Sequence, residues 1–199
     1  MLGLDALKKR IKRVRADSSI RRFFINTLFD STFMLLGIIV GSALTPNPNL
    51  KLILTTMLSS SVALGISTGV SVYEAESLER RIYLSKIEKA MLTTLKNTSV
   101  ERRAMEAAIL TSIINFLTPL LSCSITIAPF LLSTMGILSI NIAGYISVTL
   151  ALTTLFSSGV YIGRTSKINP WLKGFHMVMF GVLAFIAGFL IDKALKAFL

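Results

Sequence analysis

The sequence of 199 residues has little of what enzymes and soluble metal proteins use: one Cys, one His, one Trp and ten acidic residues. A lone cysteine excludes a disulfide and a cysteine-based metal site within one chain. Neither a GxxxxGK phosphate loop nor the HExxH or GxSxG motif occurs in the sequence. We therefore expect that the protein is not an enzyme and that it holds no resident cofactor.

Long hydrophobic runs are what the sequence has in abundance. The chain is 53% hydrophobic and its mean hydropathy is +0.71. Each run is long enough to cross a hydrocarbon core of about 30 Å as a helix. We predict an all-α, polytopic protein with five transmembrane helices, integral to a cell (plasma) membrane. The runs cover residues 23–44, 50–73, 104–132, 140–162 and 170–191.

The formal net charge of +11 is distributed unevenly between the predicted loops. The N-terminal arm carries eight Lys or Arg, the connection between spans two and three carries seven, and the connection between spans four and five carries three. The opposite side carries Lys51, Lys193 and Lys196. By the positive-inside rule, the N-terminus is cytosolic and the C-terminus is outside. The basic residues indicate anionic lipids at the cytosolic face as a partner, and no nucleic acid.

Two segments outside the bilayer have helical patterns. Residues 1–22 are predicted to form a basic amphipathic N-terminal helix, although a disordered basic tail would have the same composition. Residues 23–199 form the five-helix domain, with a short helical cytosolic connection at 74–103. The second helix is expected to extend into the cytosol, because apolar residues recur at helical spacing past the span. Thr98 or Ser99 is expected to cap the third helix.

Asp30 is a carboxylate within the first span. Counting about 20 residues back from Thr45 reaches Asn26, so Asp30 lies roughly 6–10 Å inside the bilayer. Asn26, Asp30 and Met34 share a helix face, and amide, carboxylate and thioether ligands suit a divalent metal such as Fe²⁺ or Mn²⁺. Two alternatives remain: Met34 packs in an apolar core, and Asp30 makes a structural hydrogen bond.

Further polar and small residues follow helical spacing. Glu74 and Glu76 lie at the predicted cytosolic mouth of the second span, where they would attract cations. On the third span Pro119 leaves the Asn115 carbonyl without its helical donor. This carbonyl either coordinates an ion or is satisfied by neighbouring Ser and Thr hydroxyls. Pairs of small residues indicate close packing, either between helices of one chain or across a dimer. They include Gly37 and Gly41, Gly65 and Gly69, and Gly159 and Gly163.

Several motifs in order resemble the vacuolar iron transporter family of five-span membrane proteins. On the first span the motif is Asp30-x6-Gly37-x3-Gly41, preceded by Arg22. The later spans contribute Gly69-Val-Ser-Val-Tyr73, Arg102-Arg-Ala104, Pro119-Leu-Leu, Leu155 through Arg164, and Gly174, Met177 and Gly181. The resemblance covers about residues 20–195.

This resemblance implies a homodimer with a metal path along the two first helices, and proton-coupled export of Fe²⁺ or Mn²⁺ from the cytosol. Asp30 matches the membrane-embedded Asp of that path. Phe23, Thr68 and Leu64 stand where the family has an acid, a Glu and a Met, and the family's glutamate-rich cytosolic helices are largely missing.

Three functions are consistent with these features. The first is a dimeric transporter of a divalent metal, with the metal site at Asp30, Asn26, Met34, Glu74 and Glu76. The second is a transporter or channel of the same fold for protons or a small solute. The third is a non-transporting membrane assembly protein.

Overall fold

The computed structural model describes residues 18–45, 47–96, 98–166 and 168–198, and within them the chain forms five α-helices. No strand occurs in these described segments. All five helices are long and apolar enough to cross a membrane, which confirms the all-α class, the five predicted spans and an integral membrane protein. The helices are α1 Ser18–Ala43, α2 Leu50–Met91, α3 Ser99–Thr134, α4 Ile140–Thr165 and α5 Pro170–Phe198.

The predicted N-terminal helix of residues 1–22 lies mostly outside the described residues. The part that is described, from Ser18 onward, belongs to the same continuous helix as the first span. That helix has 26 residues, a length of about 39 Å at 1.5 Å per residue.

Helix α2 is much longer than a membrane span. It has 42 residues, whereas about 20 are enough to cross the hydrocarbon core. The helix therefore continues past its apolar part to Met91, as the spacing of its apolar residues predicted. The turn to α3 is held by side chains: Glu88 Oε1 accepts a hydrogen bond from the Leu95 N–H at 2.6 Å, and Thr98 Oγ1 accepts one from Glu101 at 3.4 Å. The predicted cap at Thr98 is thereby confirmed.

The chain divides into two compact units, which we describe separately. The first unit comprises the described part of residues 1–27 together with Leu64–Thr118. Here α2 and α3 pack closely through glycines: a Cβ on Gly65 would lie 2.7 Å from the Phe116 carbonyl oxygen. Ser112 Oγ donates a hydrogen bond to the Gly69 carbonyl at 2.7 Å. Intramolecular packing thus explains the small residues of α2.

The second unit comprises Leu28–Ala63 and Pro119–Leu199. Its apolar core is made by α1, α2, α3 and α4, with fully buried side chains such as Leu35, Met57, Phe130 and Leu155. Helix α5 packs on α4 through glycines as well, since a Cβ on Gly159 would lie 2.8 Å from the Gly174 Cα. The glycine pairs of these two helices thus serve helix packing within one chain.

The long third span is one continuous helix despite Pro119 and Pro129 inside it.

One exposed residue has a strained backbone. Leu92, directly after α2, has φ +51° and is 93% exposed. The left-handed region costs a residue with a Cβ about 1–2 kcal/mol, and glycine is the residue that usually ends a helix in this conformation.

We expect Leu92→Gly to raise the stability of the purified protein by about 0.5–1 kcal/mol, because relief of strain exceeds the added chain entropy of glycine. Met91→Gly is the matched control: it is also exposed but helical, and it should lose about 1 kcal/mol. Thermal unfolding in detergent measures both. Equal destabilisation by the two substitutions would contradict a strained Leu92.

Candidate functional site

The five exposed residues in the described part of α1 all lie on one side of the helix. They span an arc of about 100° at 100° per residue, and every other described side chain of α1 is buried or half-buried. We call them the exposed stripe of α1. It consists of Arg22, Asn26, Asp30, Gly37 and Gly41.

Asp30 lies in the middle of this stripe. Its carboxylate makes no hydrogen bond or salt bridge with any residue in the described part of the chain. An ionised carboxylate at the centre of a membrane helix costs about 2.5–3.5 kcal/mol on insertion scales. Polar side chains at such depth usually face a protein interior or a water-filled cavity. Within one chain, nothing described compensates this charge.

The hydroxyl groups next to Asp30 on α1 are hydrogen-bonded, whereas Asn26 is exposed and makes no hydrogen bond with a described residue. Thr27 Oγ1 donates to Asn115 Oδ1 at 2.7 Å, within the first unit. In the second unit Ser31 and Thr32 donate to the Leu28 carbonyl at 3.0 and 2.7 Å, and Thr32 Oγ1 lies 3.2 Å from Ser122 Oγ. Asn115 and Ser122 of α3 are therefore bonded to Thr27 and Thr32 of α1 and not to Asp30. The structural hydrogen bond considered for Asp30 is not present in the described residues.

Four polar residues of α3 are buried and hydrogen-bonded: Thr111, Asn115, Thr118 and Ser122. Asn115 is fully buried, and its Nδ2 donates to the Thr111 carbonyl at 2.8 Å. The Asn115 carbonyl, which Pro119 deprives of its helical donor, lies 3.2 Å from Thr68 Oγ1. Of the two interpretations of this carbonyl, the structure favours satisfaction by a neighbouring hydroxyl. The Thr68 hydroxyl is thereby engaged in a hydrogen bond to α3.

Asn26 and Met34, the two predicted ligands nearest to Asp30 along α1, differ in burial. Met34 is half-buried and packs against the apolar core of the second unit, whereas Asn26 is exposed. Glu74 and Glu76 belong to the first unit. Among the described residues, no group of three or more His, Cys, Asp or Glu side chains could hold a metal ion.

Glu74 and Glu76 have different surroundings. Glu74 is exposed, as a cation-attracting group at an entrance would be. Glu76 is only 2% exposed, and its Oε2 accepts hydrogen bonds from Arg80 Nε at 3.0 Å and Nη2 at 2.9 Å. Its Oε1 is buried without a partner among the described residues. The ion pair compensates the charge of Glu76, which leaves Glu74 better suited to attract cations.

Sequence reasoning did not assign a role to Arg22. Its guanidinium carbon lies 5.2 Å from the centroid of the Phe23 ring, a cation–π distance. Arg22 is exposed and forms no salt bridge with a described residue. The signal that could have found it is the spacing of eight residues, which places Arg22 and Asp30 on the same side of a helix.

The glycines of α1 differ from those of the other helices. A Cβ on Gly37 or Gly41 would meet no atom within 4 Å, whereas one on any other described helical glycine would. Packing within the chain therefore does not explain this pair. A bare small-xxx-small pair in a membrane helix is typical of a helix–helix contact with another chain.

A cleft of about 650 Å³ in the second unit is separate from these residues. It is lined by residues 47–50 and 139–141, none of which is acidic. None of the predicted metal ligands lines this cleft.

No family model matches the chain. Among curated proteins, the chain is similar to "Uncharacterized protein MJ0645" of Methanocaldococcus jannaschii, with 27% identity over 192 residues. The match covers 95% of this chain and 96% of the relative, so the two sequences align over nearly their whole lengths.

If Asp30 has no partner within the chain, its neutral isostere should cost the fold nothing. We expect Asp30→Asn to leave the unfolding temperature unchanged or to raise it. Asn115→Ala should lower stability by about 1–2 kcal/mol, because it removes two buried hydrogen bonds. Both are measured by thermal unfolding in the same detergent, and a loss in Asp30→Asn as large as that in Asn115→Ala would show a hidden partner.

Proposed function

We propose that the protein is a membrane transporter that moves a divalent transition metal, Fe²⁺ or Mn²⁺, out of the cytosol in exchange for protons. The observation that carries the proposal is the carboxylate of Asp30, which lies within a membrane span, on an exposed face and without a partner among the described residues. Ionisable residues in such positions mark ion paths and proton relays. The positive-inside distribution supports a cytosolic N-terminus and an outside C-terminus.

The proposed transporter is a homodimer joined along the exposed stripe of α1. In a single chain this stripe would place Asp30 against lipid tails, which offer no compensation for its charge. The bare glycines allow a second α1 to approach closely. A dimer with its twofold axis beside α1 would shield both Asp30 and the two glycines from lipid. It would also bring the two Asp30 carboxylates toward each other.

Two facing carboxylates suit the exchange of a metal for a proton. Two negative charges facing each other repel, and either a proton or a divalent cation bound between them would relieve that repulsion. Asn26 would supply an amide oxygen from the same stripe, Met34 a thioether if its side chain leaves the core, and Glu74 would attract cations at the cytosolic end. Glu76 would serve there only if it separated from Arg80.

The resemblance to the vacuolar iron transporter family supports the choice of cargo. The motif Asp30-x6-Gly37-x3-Gly41 of that resemblance coincides with three of the five residues of the exposed stripe. The basic residues of the proposed cytosolic side also favour binding to anionic lipids of the plasma membrane.

A second candidate is a transporter of the same fold for protons or a small solute. Two observations favour it: Thr68 hydrogen-bonds α3, and Glu76 is paired with Arg80. Both leave fewer ligands for a metal than the family has. A non-transporting assembly protein would use the same α1 contact without an ion path.

Transport by way of Asp30 is tested in liposomes. We expect wild-type protein to take up Mn²⁺ or Fe²⁺ down a pH gradient and Asp30→Asn to lose at least about tenfold of the flux, because it removes the charge that binds the cation. Asp192→Asn, at the other end of the spans, is the control. Equal metal fluxes in wild type and Asp30→Asn would refute metal transport, and an Asp30-dependent proton flux without metal flux would favour the second candidate.

The dimer is tested by enlarging the bare glycines. Gly41→Leu should shift the protein toward monomer in detergent, because the side chain has space within the chain but not between two close helices. Gly136→Leu is not a suitable control, since Gly136 has φ +74°. The control is Ala63→Leu on an exposed part of α2. Light scattering of the purified protein gives its mass. An unchanged dimer in Gly41→Leu would exclude a dimer contact along the exposed stripe of α1.

A further inference from the structure

The exposed stripe of α1 carries two charges of opposite sign, Arg22 and Asp30. Neither forms a salt bridge with a residue in the described segments. The chain therefore keeps an uncompensated positive charge on the same face as its uncompensated carboxylate. In the proposed orientation Arg22 is on the cytosolic side, so a cation approaching Asp30 from the cytosol passes Arg22 first.

The ring of Phe23 restricts the position of the Arg22 guanidinium. A long Arg side chain at a membrane boundary would otherwise extend freely into the headgroup region. The guanidinium lies instead 5.2 Å from the ring centroid of Phe23, within the range of cation–π attraction. This contact keeps the charge close to α1, where it acts on whatever moves along the stripe.

Arg22 and Asp30 are separated by eight residues of helix, about 12 Å along the axis. This exceeds the Debye length of about 8–10 Å at moderate salt, but at about 0.01 M salt the Debye length is about 30 Å, so that the charge of Arg22 then acts on a cation at Asp30. Because Coulomb repulsion scales with charge, it opposes a divalent cation twice as strongly as a proton.

We infer that Arg22, held over the ring of Phe23, is a specificity-determining residue that selects by charge at the cytosolic end of the path and disfavours divalent cations relative to protons. This inference rests on the proposed function, because it needs a path that passes Asp30. It assigns a role to Arg22, which directly precedes Phe23, the position where the vacuolar iron transporter family has an acidic residue. With Phe23 in that place, no carboxylate in the described segments forms a salt bridge with Arg22.

The test compares the concentration dependence of Mn²⁺ flux in vesicles of zwitterionic phosphatidylcholine, with proton flux measured in parallel. We expect Arg22→Gln to lower the Mn²⁺ concentration for half-maximal flux about three- to tenfold at low salt. The half-saturation for protons should fall by only the square root of that factor, about two- to threefold, because the proton has half the charge. The maximal flux should change little. High salt should reduce the difference from wild type, since the effect is electrostatic.

Two matched variants distinguish the effect of a positive charge on the exposed stripe of α1 from the effect of the total charge of the helix. Arg22→Lys keeps the charge and should behave as wild type. Arg21→Gln removes the same charge from the adjacent residue, which is half-buried on another side of α1, and should shift half-saturation much less. Thermal unfolding confirms that all three variants are folded.

The outcomes distinguish this inference from the proposed function. If Asp30→Asn abolishes flux while Arg22→Gln leaves the half-saturation unchanged, or if Arg21→Gln and Arg22→Gln have equal effects, the charge filter is refuted and the transporter stands. If wild type moves only protons, a gain of Mn²⁺ flux in Arg22→Gln supports the filter and no gain refutes it. Flux that does not depend on Asp30 refutes the path itself, and the filter with it.

Discussion

The structure depends on one constraint: a polar group in a hydrocarbon environment must find its partner within the protein. The described spans meet it locally, because Thr111 and Thr118 donate to the carbonyl four residues earlier in their own helix. Where a local acceptor is not enough, bonds between helices form, as between Thr27 and Asn115. Against this background an unpartnered Asp30 has functional meaning, since the neighbouring hydroxyl groups of Thr27, Ser31 and Thr32 are all hydrogen-bonded.

The same helix departs from the packing of the others. Elsewhere the glycines bring helices of one chain together, whereas the two glycines of α1 face open space. Polar groups and bare backbone therefore occur on one face of α1, and the proposed dimer would cover both. In the proposed transporter, the ion pair of Glu76 and the absence of a described salt-bridge partner for Arg22 would make the cytosolic end of the path less acidic than a count of carboxylates indicates.

Much of the fold could be predicted from hydropathy and helical spacing, including the five spans, the continuation of α2 and the cap at Thr98. The site could be predicted only in part. Asp30 was predicted because a charged residue within an apolar run can be recognised from the sequence alone. The ion pair of Glu76 was missed, although Arg80 stands four residues later, because charged side chains past the apolar part of a helix more often face water. Asn115 could be assigned to packing only when Thr27 and Thr68 were seen beside it.

The sequence by itself determined that the chain is all-helical and spans a membrane five times, since helix length and hydropathy are properties of consecutive residues. It also determined that Asp30 lies within a span. Only the tertiary structure decided which face of each helix is covered, because that depends on residues far apart in sequence, such as Gly159 and Gly174 on two helices. For this reason the exposed stripe of α1, with Arg22, Asp30 and two bare glycines on one side, became visible only in three dimensions.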